Sequence, residues 1–349
     1  MTMRRPHIVW LAGLLLSGLP IEKTWGQEAL APWIGGMPGT EHPAFWALQQ
    51  TPWAFGLQHA TRWASAADPI ADQWFSAGWN PSPEGTSWTG TGLQNWAFGT
   101  AHSSVQAGTG WRESRHALHA AVRVPLDKGW TGSAGIGIGA RTWILDGRSW
   151  SWDAQYGPGG YDPTAPSGEP EGLVFGAGVE PELALGIAAA RRPRPGQGPA
   201  LQGALSLHHV LPVSAPTFQP MAGDTANRTV SAWFEIQDDL GVKRLLWTAW
   251  WRGAIQGPSH LIELGSSIGW TFGNASRHTR NTLGHRLAVG ALWRTDGRFR
   301  LPFSWEHGEL QIWTGPALDI GHPSPAARGW ALGAVWTPDA TGSTPIGSN

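Results

Sequence analysis

The sequence contains no cysteine. That excludes a disulfide framework, thiolate chemistry and a lipoprotein anchor. Charge is scarce as well: 14% of residues are Asp, Glu, Lys or Arg, against about 25% in soluble domains. The net charge of −1 gives no electrostatic case for nucleic acid as a partner. Long apolar runs are missing beyond the first 26 residues, so a helical membrane protein, which needs about 20 apolar residues per crossing, is excluded. The N-terminus itself reads as a secretory signal peptide over residues 1–26. Arg4 and Arg5 form the basic region, the apolar stretch from Ile8 to Leu19 is too short to span a bilayer, Pro20 breaks it, and Gly26 offers a small residue before Gln27. Export leaves two destinations, the periplasm and the outer membrane.

What the sequence has in excess narrows the choice. Gly, with 48 of 349 residues, is at twice its usual share of about 7%. Trp occurs 25 times. Mean hydropathy is nevertheless slightly negative. Few charges, many aromatics and many small residues describe a chain with one face for lipid and one for water or protein, as a transmembrane barrel requires.

The dominant pattern has period two, which sends alternate side chains to opposite faces of a strand. In residues 261–273, Ile262, Leu264, Ile268, Trp270 and Phe272 share one face, and Glu263, Gly265, Ser267, Gly269 and Thr271 the other. In 131–145, Ile136, Ile138, Ala140 and Ile144 oppose Ser133, Gly135, Gly137, Gly139 and Arg141. In 229–237, Val230, Ala232, Phe234 and Ile236 oppose Thr229, Ser231, Glu235 and Gln237. Similar runs occur at 117–126, 286–294, 330–336 and around Trp53, Phe55 and Leu57. Each is about 9–14 residues long, and a tilted membrane strand needs about 9–11. Trp at the ends of runs (Trp53 and Trp63, Trp330 and Trp336) suits interfacial aromatic girdles. The expected fold is all-β: a single transmembrane antiparallel β-barrel of about 14 strands, with 12 to 16 allowed, short periplasmic turns and longer outer loops.

The expected organisation is a signal peptide at 1–26, a Pro- and Gly-rich N-terminal segment at 27–52 that is a candidate plug, the barrel at 53–338 and a flexible tail at 339–349. The longest loop, 146–172, is rich in Gly, Pro, Asp and Trp, and a second long loop covers 212–228; both should face outward. Residues 191–199 form a basic, Pro-rich turn.

Four stretches resemble the PorP/SprF family of type IX secretion system membrane proteins. His42-Pro43-Ala44-Phe45 stands where that family has Asn-Pro-Ala after the signal peptide. Thr61-Arg62-Trp63 falls near its early Arg-x-Gln-Trp. Residues 120–126 followed by 134–143 are similar to its tyrosine-rich strand followed by a glycine-alternating one, and Leu205-Ser206-Leu207-His208-His209-Val210 to its Gly-x-Ser-x-x-His-Leu segment. The chain departs from the pattern in having only 2 Tyr and His42 in place of Asn. The resemblance covers residues 42 to about 211, and the strand spacing continues it to about 338. It implies an outer-membrane partner in the export of large surface adhesins with C-terminal sorting domains, holding them on the cell surface and serving gliding motility with other type IX components. The rival reading is an outer-membrane channel for small solutes.

No catalytic, cofactor or metal site emerges. Gly265-Ser266-Ser267-Ile268-Gly269 matches a nucleophile elbow, which would make Ser267 catalytic, but the alternation runs straight through it with no helix following. Gly135-Ile136-Gly137-Ile138-Gly139 lacks the turn into a helix that a dinucleotide loop needs. Adjacent His208 and His209 on a strand would point to opposite faces and could not share a metal. Asp146, Asp153 and Asp162 are too loosely spaced for a calcium loop. Trp150, Trp152, Tyr156 and Tyr161 make the longest loop a candidate protein-binding surface, since aromatic side chains are favoured interface anchors. The strand charges Arg62, Arg123, Arg141, Arg252, Glu235, Glu263 and Glu306 should face the lumen, because a charge facing lipid at the midplane costs about 2–4 kcal/mol.

Overall fold

A computed structural model describes residues 38–62, 70–81, 95–108, 110–126, 129–147, 155–157, 160–162, 164–166, 168, 175–193, 198–211, 228–240, 244–256, 259–272, 285–295, 298–319 and 328–338. The expected signal peptide, the tail at 339–349, Trp63, Trp150 and Trp152 lie outside these residues.

The strands are β1 (Trp53–Arg62), β2 (Ile70–Trp79), β3 (Trp96–Ala107), β4 (Trp111–Pro125), β5 (Trp130–Asp146), β6 (Tyr156–Gly157), β7 (Gly160–Tyr161), β8 (Phe175–Arg191), β9 (Ala200–His208), β10 (Thr229–Asp239), β11 (Leu245–Gln256), β12 (Ser259–Phe272), β13 (His285–Arg294), β14 (Arg298–Arg300), β15 (Phe303–His307), β16 (Leu310–Asp319) and β17 (Arg328–Trp336). Apart from β6 and β7, which pair with each other in the longest loop, all belong to one sheet in which every pairing is antiparallel. β17 pairs with β1, Ala331 opposite Ala60, and closes the sheet. β14 and β15 are two pieces of one stave. Arg300 faces Ala317 and Phe303 faces Thr314, so the register does not slip between them. The break falls at Leu301-Pro302, where proline has no N–H for the ladder. The result is a closed antiparallel barrel of 14 staves.

The two faces separate as the alternation requires. Leu57, Leu118, Ile138, Val179, Ile187 and Ile255 are each more than half exposed on the outer wall. An apolar surface running round a molecule far exceeds the few hundred Å² that a soluble monomer exposes, so this wall is in contact with lipid. Among the described residues no helix is long and apolar enough to cross a membrane; the strands cross it. Aromatic residues stack from stave to stave along one rim: Trp53 on Trp79 at 5.9 Å, Trp79 on Phe98 at 6.0 Å, and Phe55 on Trp336 at 5.4 Å between ring centroids. Such a belt suits a bilayer interface.

At this rim β1 begins and β17 ends. The long connections 147–174 and 209–228 leave from the other rim, since each follows an odd-numbered crossing. Not every tryptophan serves the girdles. Trp143, Trp233, Trp250 and Trp313 lie on inward positions, with Trp233, Trp250 and Trp313 buried. Trp250 and Trp313 each cover a cross-strand glycine, Gly265 and Gly333.

Candidate functional site: a chain segment seated in the lumen

A barrel of eight strands can be filled by its own side chains, and wider barrels leave an interior to be occupied. Here residues 38–50 occupy it. Pro38–Thr40 and Pro43–Leu48 form short 3-10 turns. Pro43 suits the first helical position, where no N–H is needed. His42, Pro43, Ala44, Trp46, Ala47 and Leu48 are buried, against the inner faces of β3, β4, β5 and β8.

So short a helix cannot satisfy its own carbonyls, and the wall supplies the missing donors. Ser133 Oγ donates to Ala44 O at 2.8 Å, Asn80 Nδ2 to Gln49 O at 2.8 Å, and a guanidinium N–H of Arg192 to Leu48 O at 2.7 Å. Burial lowers the Arg192 pKa to about 10. Side chains add further anchors. His42 Nδ1 and Ser206 Oγ share a hydrogen bond of 2.8 Å. Trp46 Nε1–H donates to His119 Nδ1 at 2.8 Å, which places the proton of a neutral His119 on Nε2.

The inward glycines at 78, 99 and 135 are explained by this segment. A Cβ on Gly78 would lie 2.0 Å from Trp46 Cζ3, and one on Gly99 2.3 Å from Trp46 Cε2. Gly78 and Gly99 face each other across β2 and β3 and make a flat seat for the indole. A Cβ on Gly135 would lie 2.5 Å from the backbone nitrogen of Ala44. In the glycine-alternating run at 135–139, the segment's backbone makes its close approach at Gly135.

The strand charges named from the sequence face inward, as expected, and the described residues include two clusters of them. Arg252 pairs with Glu41 of the segment and lies 3.7 Å from Glu263, which lies 4.0 Å from Arg294. Glu263 is fully buried. Glu113 contacts Arg115 at 2.8 Å and Arg141 at 2.7 Å, and Arg141 lies 3.8 Å from Glu180. Glu235 accepts from Gln202 Nε2 at 2.8 Å, and Arg286 pairs with Glu306. Arg62 occupies an inward register position.

The histidine pair departs from the expectation. His208 ends β9 and its Nε2 lies 3.3 Å from Ser231 Oγ on the inner wall. His209 is outside the strand, with φ of 53°, and is buried. The alternation stops one residue early, so the argument from opposite strand faces does not apply to this pair. Burial, then the neighbouring His208 and Arg252, holds the His42 imidazole pKa well below its usual 6.5. His42 is therefore neutral at pH 7.

Gly265 to Gly269 lie in mid-strand in β12, so Ser267 is a wall residue and not at an elbow. Tyr156 and Tyr161 pair across the β6–β7 ribbon. Asp162 accepts from the backbone N–H of Thr164 at 2.8 Å and its hydroxyl at 2.6 Å, which lowers its pKa in an exposed turn. Sequence reasoning missed Trp46, His119, Ser133 and Asn80. The segment's extra aromatic and the small inward residues opposite it were the available signals.

Two cavities adjoin the segment. One of about 70 Å³ lies beside Thr40, Glu41, His119 and His208. The other, of about 420 Å³, lies beside Phe45, Leu48 and Gln49 and reaches Arg192 and Thr337 at the rim where β1 starts.

No family model and no curated protein matches this sequence. Solved structures similar to it include the Ralstonia pickettii toluene transporter TbuX (11% identity, 86% of this chain and 92% of that one, TM-score 0.47). Others are the Pseudomonas putida toluene transporter TodX (9%, 87% and 93%, TM-score 0.46) and a Pseudomonas aeruginosa FadL homologue (9%, 87% and 95%, TM-score 0.44). These are likenesses of barrel architecture alone.

Proposed function

We propose that this protein is an integral outer-membrane barrel of a Gram-negative bacterium. It acts without catalysis, as the surface partner of a secreted protein bearing a C-terminal sorting domain, in the manner that the PorP/SprF resemblance implies. The observation that carries the reading is the contact between His42 and Ser206, 164 residues apart. Two of the four stretches behind the resemblance meet there, and a third supplies Gly135 of β5 under Ala44. The motif residues thus act together, in seating the segment. A lumen occupied in this way suits a platform better than a conduit for polypeptide, and it leaves partner contacts to the long connections 147–174 and 209–228 on one rim. The test is affinity capture of tagged protein from outer-membrane extracts under mild cross-linking, followed by mass spectrometry. A large secreted protein with a sorting domain is expected; recovery of the barrel alone counts against the reading.

The 420 Å³ cavity favours a second reading, a channel for small solutes. It predicts conductance in planar bilayers from the intact chain, whereas the platform reading predicts conductance only after residues 38–50 are deleted.

A further inference from the structure

We infer that the larger lumen cavity is a binding site for an uncharged, polyhydroxylated small molecule of about mono- to disaccharide size. The volume of about 420 Å³ falls in the range of about 300–1,000 Å³ typical of small-molecule sites. The space is a property of the wall. On the opposite side of the barrel Gly78, Gly99 and Gly135 are covered by Trp46 and Ala44 of the segment, whereas the atoms nearest a Cβ on Gly269 or Gly290 belong to the wall itself. With Ala288, these small residues of β12 and β13 leave the cavity beside the seated segment.

The chemistry of the lining selects the ligand class. Gln50, Gln237, Gln311, Thr248, Ser267 and Ser304 line the space. Carboxamides and hydroxyls each donate and accept, which matches sugar hydroxyls that do the same. The charged groups at the cavity are already engaged: Arg286 by Glu306, Glu235 by Gln202, and Arg192 by the Leu48 carbonyl. Arg192 and Glu235 also interact electrostatically with each other, so among the described lining residues and these partners the charges are balanced. A charged ligand would find no excess counter-charge, and burying an unpaired ion is costly. A purely apolar ligand would strand the amides without partners, at about 1–3 kcal/mol each. Phe45, Leu48 and Trp250 supply the apolar surface against which the carbon face of a sugar packs. The inference does not depend on the surface-partner reading.

The experiment is isothermal titration of the full-length barrel in detergent with maltose, phenol and sodium glutamate as probes. It is repeated on Gln237→Leu and Gln311→Leu, each first shown to keep the heat-modifiable gel migration of a folded barrel. The expected result is saturable binding of maltose alone, weakened about tenfold in each variant, as loss of one hydrogen bond of about 1.4 kcal/mol predicts. Absence of maltose binding overturns the inference. So does preference for phenol or glutamate, or maltose affinity unchanged in both variants.

Discussion

Replacing Gly99 by alanine should change sign in its effect on stability according to whether Trp46 is present. In the native protein a Cβ at residue 99 would stand 2.3 Å from Cε2 and 2.5 Å from Nε1 of Trp46, and the three nearest atoms all belong to that indole. Trp46 is buried and tied to His119, so it cannot yield without losing that bond. Overpacking of this kind costs about 1–3 kcal/mol. In a Trp46→Ala background the clash is gone. What remains is the ordinary advantage of alanine over glycine in a strand, about 0.5–1 kcal/mol. The coupling between the two positions, the difference between that cost and that gain, should therefore be about 1.5–4 kcal/mol. Urea unfolding of the four proteins in detergent micelles, followed by gel migration, measures it. If Gly99→Ala costs the same with and without Trp46, the indole does not rest on Gly99 and the seat is misassigned.

Glu263→Gln should destabilise the barrel by up to about 3–5 kcal/mol, because it leaves Arg294 facing a neutral group in a buried site and Arg252 with Glu41 as its remaining carboxylate in this cluster; a lowered temperature of heat-modifiability reads this out. The depressed pKa of His42 means that the unfolded chain binds a proton the folded one refuses. The stability it contributes is whole above about pH 6.5 and declines as pH falls below that value. His42→Gln should flatten the difference in unfolding midpoint between pH 7 and pH 5; an unchanged slope would exclude His42 as its source. Ser133→Ala removes the donor to the Ala44 carbonyl and should cost about 1–3 kcal/mol, seen in the same urea titration. Deleting residues 38–50 should join the two cavities and produce conductance in planar bilayers, where the full chain shows none under the platform reading.

The outer wall was legible in the sequence because lipid imposes one rule on every stave. Ile136, Ile138, Leu287, Val289, Trp330 and Leu332 all sit outward, as their alternation implies. The inner wall was less legible, because its occupant comes from far away in the chain. Nothing local to Gly78 or Gly99 announces that Trp46 will lie over them, and no spacing rule joins His42 to Ser206. Trp233 falls on the polar face of β10, where it meets Phe45 edge-on at 5.2 Å between centroids. Reading tryptophan as a girdle residue passed over that role. His209 shows a different limit. A left-handed φ at a residue other than glycine is set by its surroundings and not by its type, so the end of β9 could not be placed from the alternation.

The most direct test of the account uses the absence of cysteine. In the double variant His42→Cys, Ser206→Cys the only thiols are those of the segment and the β9 wall, at the positions whose side chains now share a 2.8 Å hydrogen bond. Outer membranes from cells expressing it, oxidised or treated with a short thiol cross-linker, should give a single internally linked, faster-migrating species that reverts on reduction and requires both substitutions. If both thiols instead remain free and react at once with a membrane-impermeant maleimide, the segment does not lie in the lumen and the account fails.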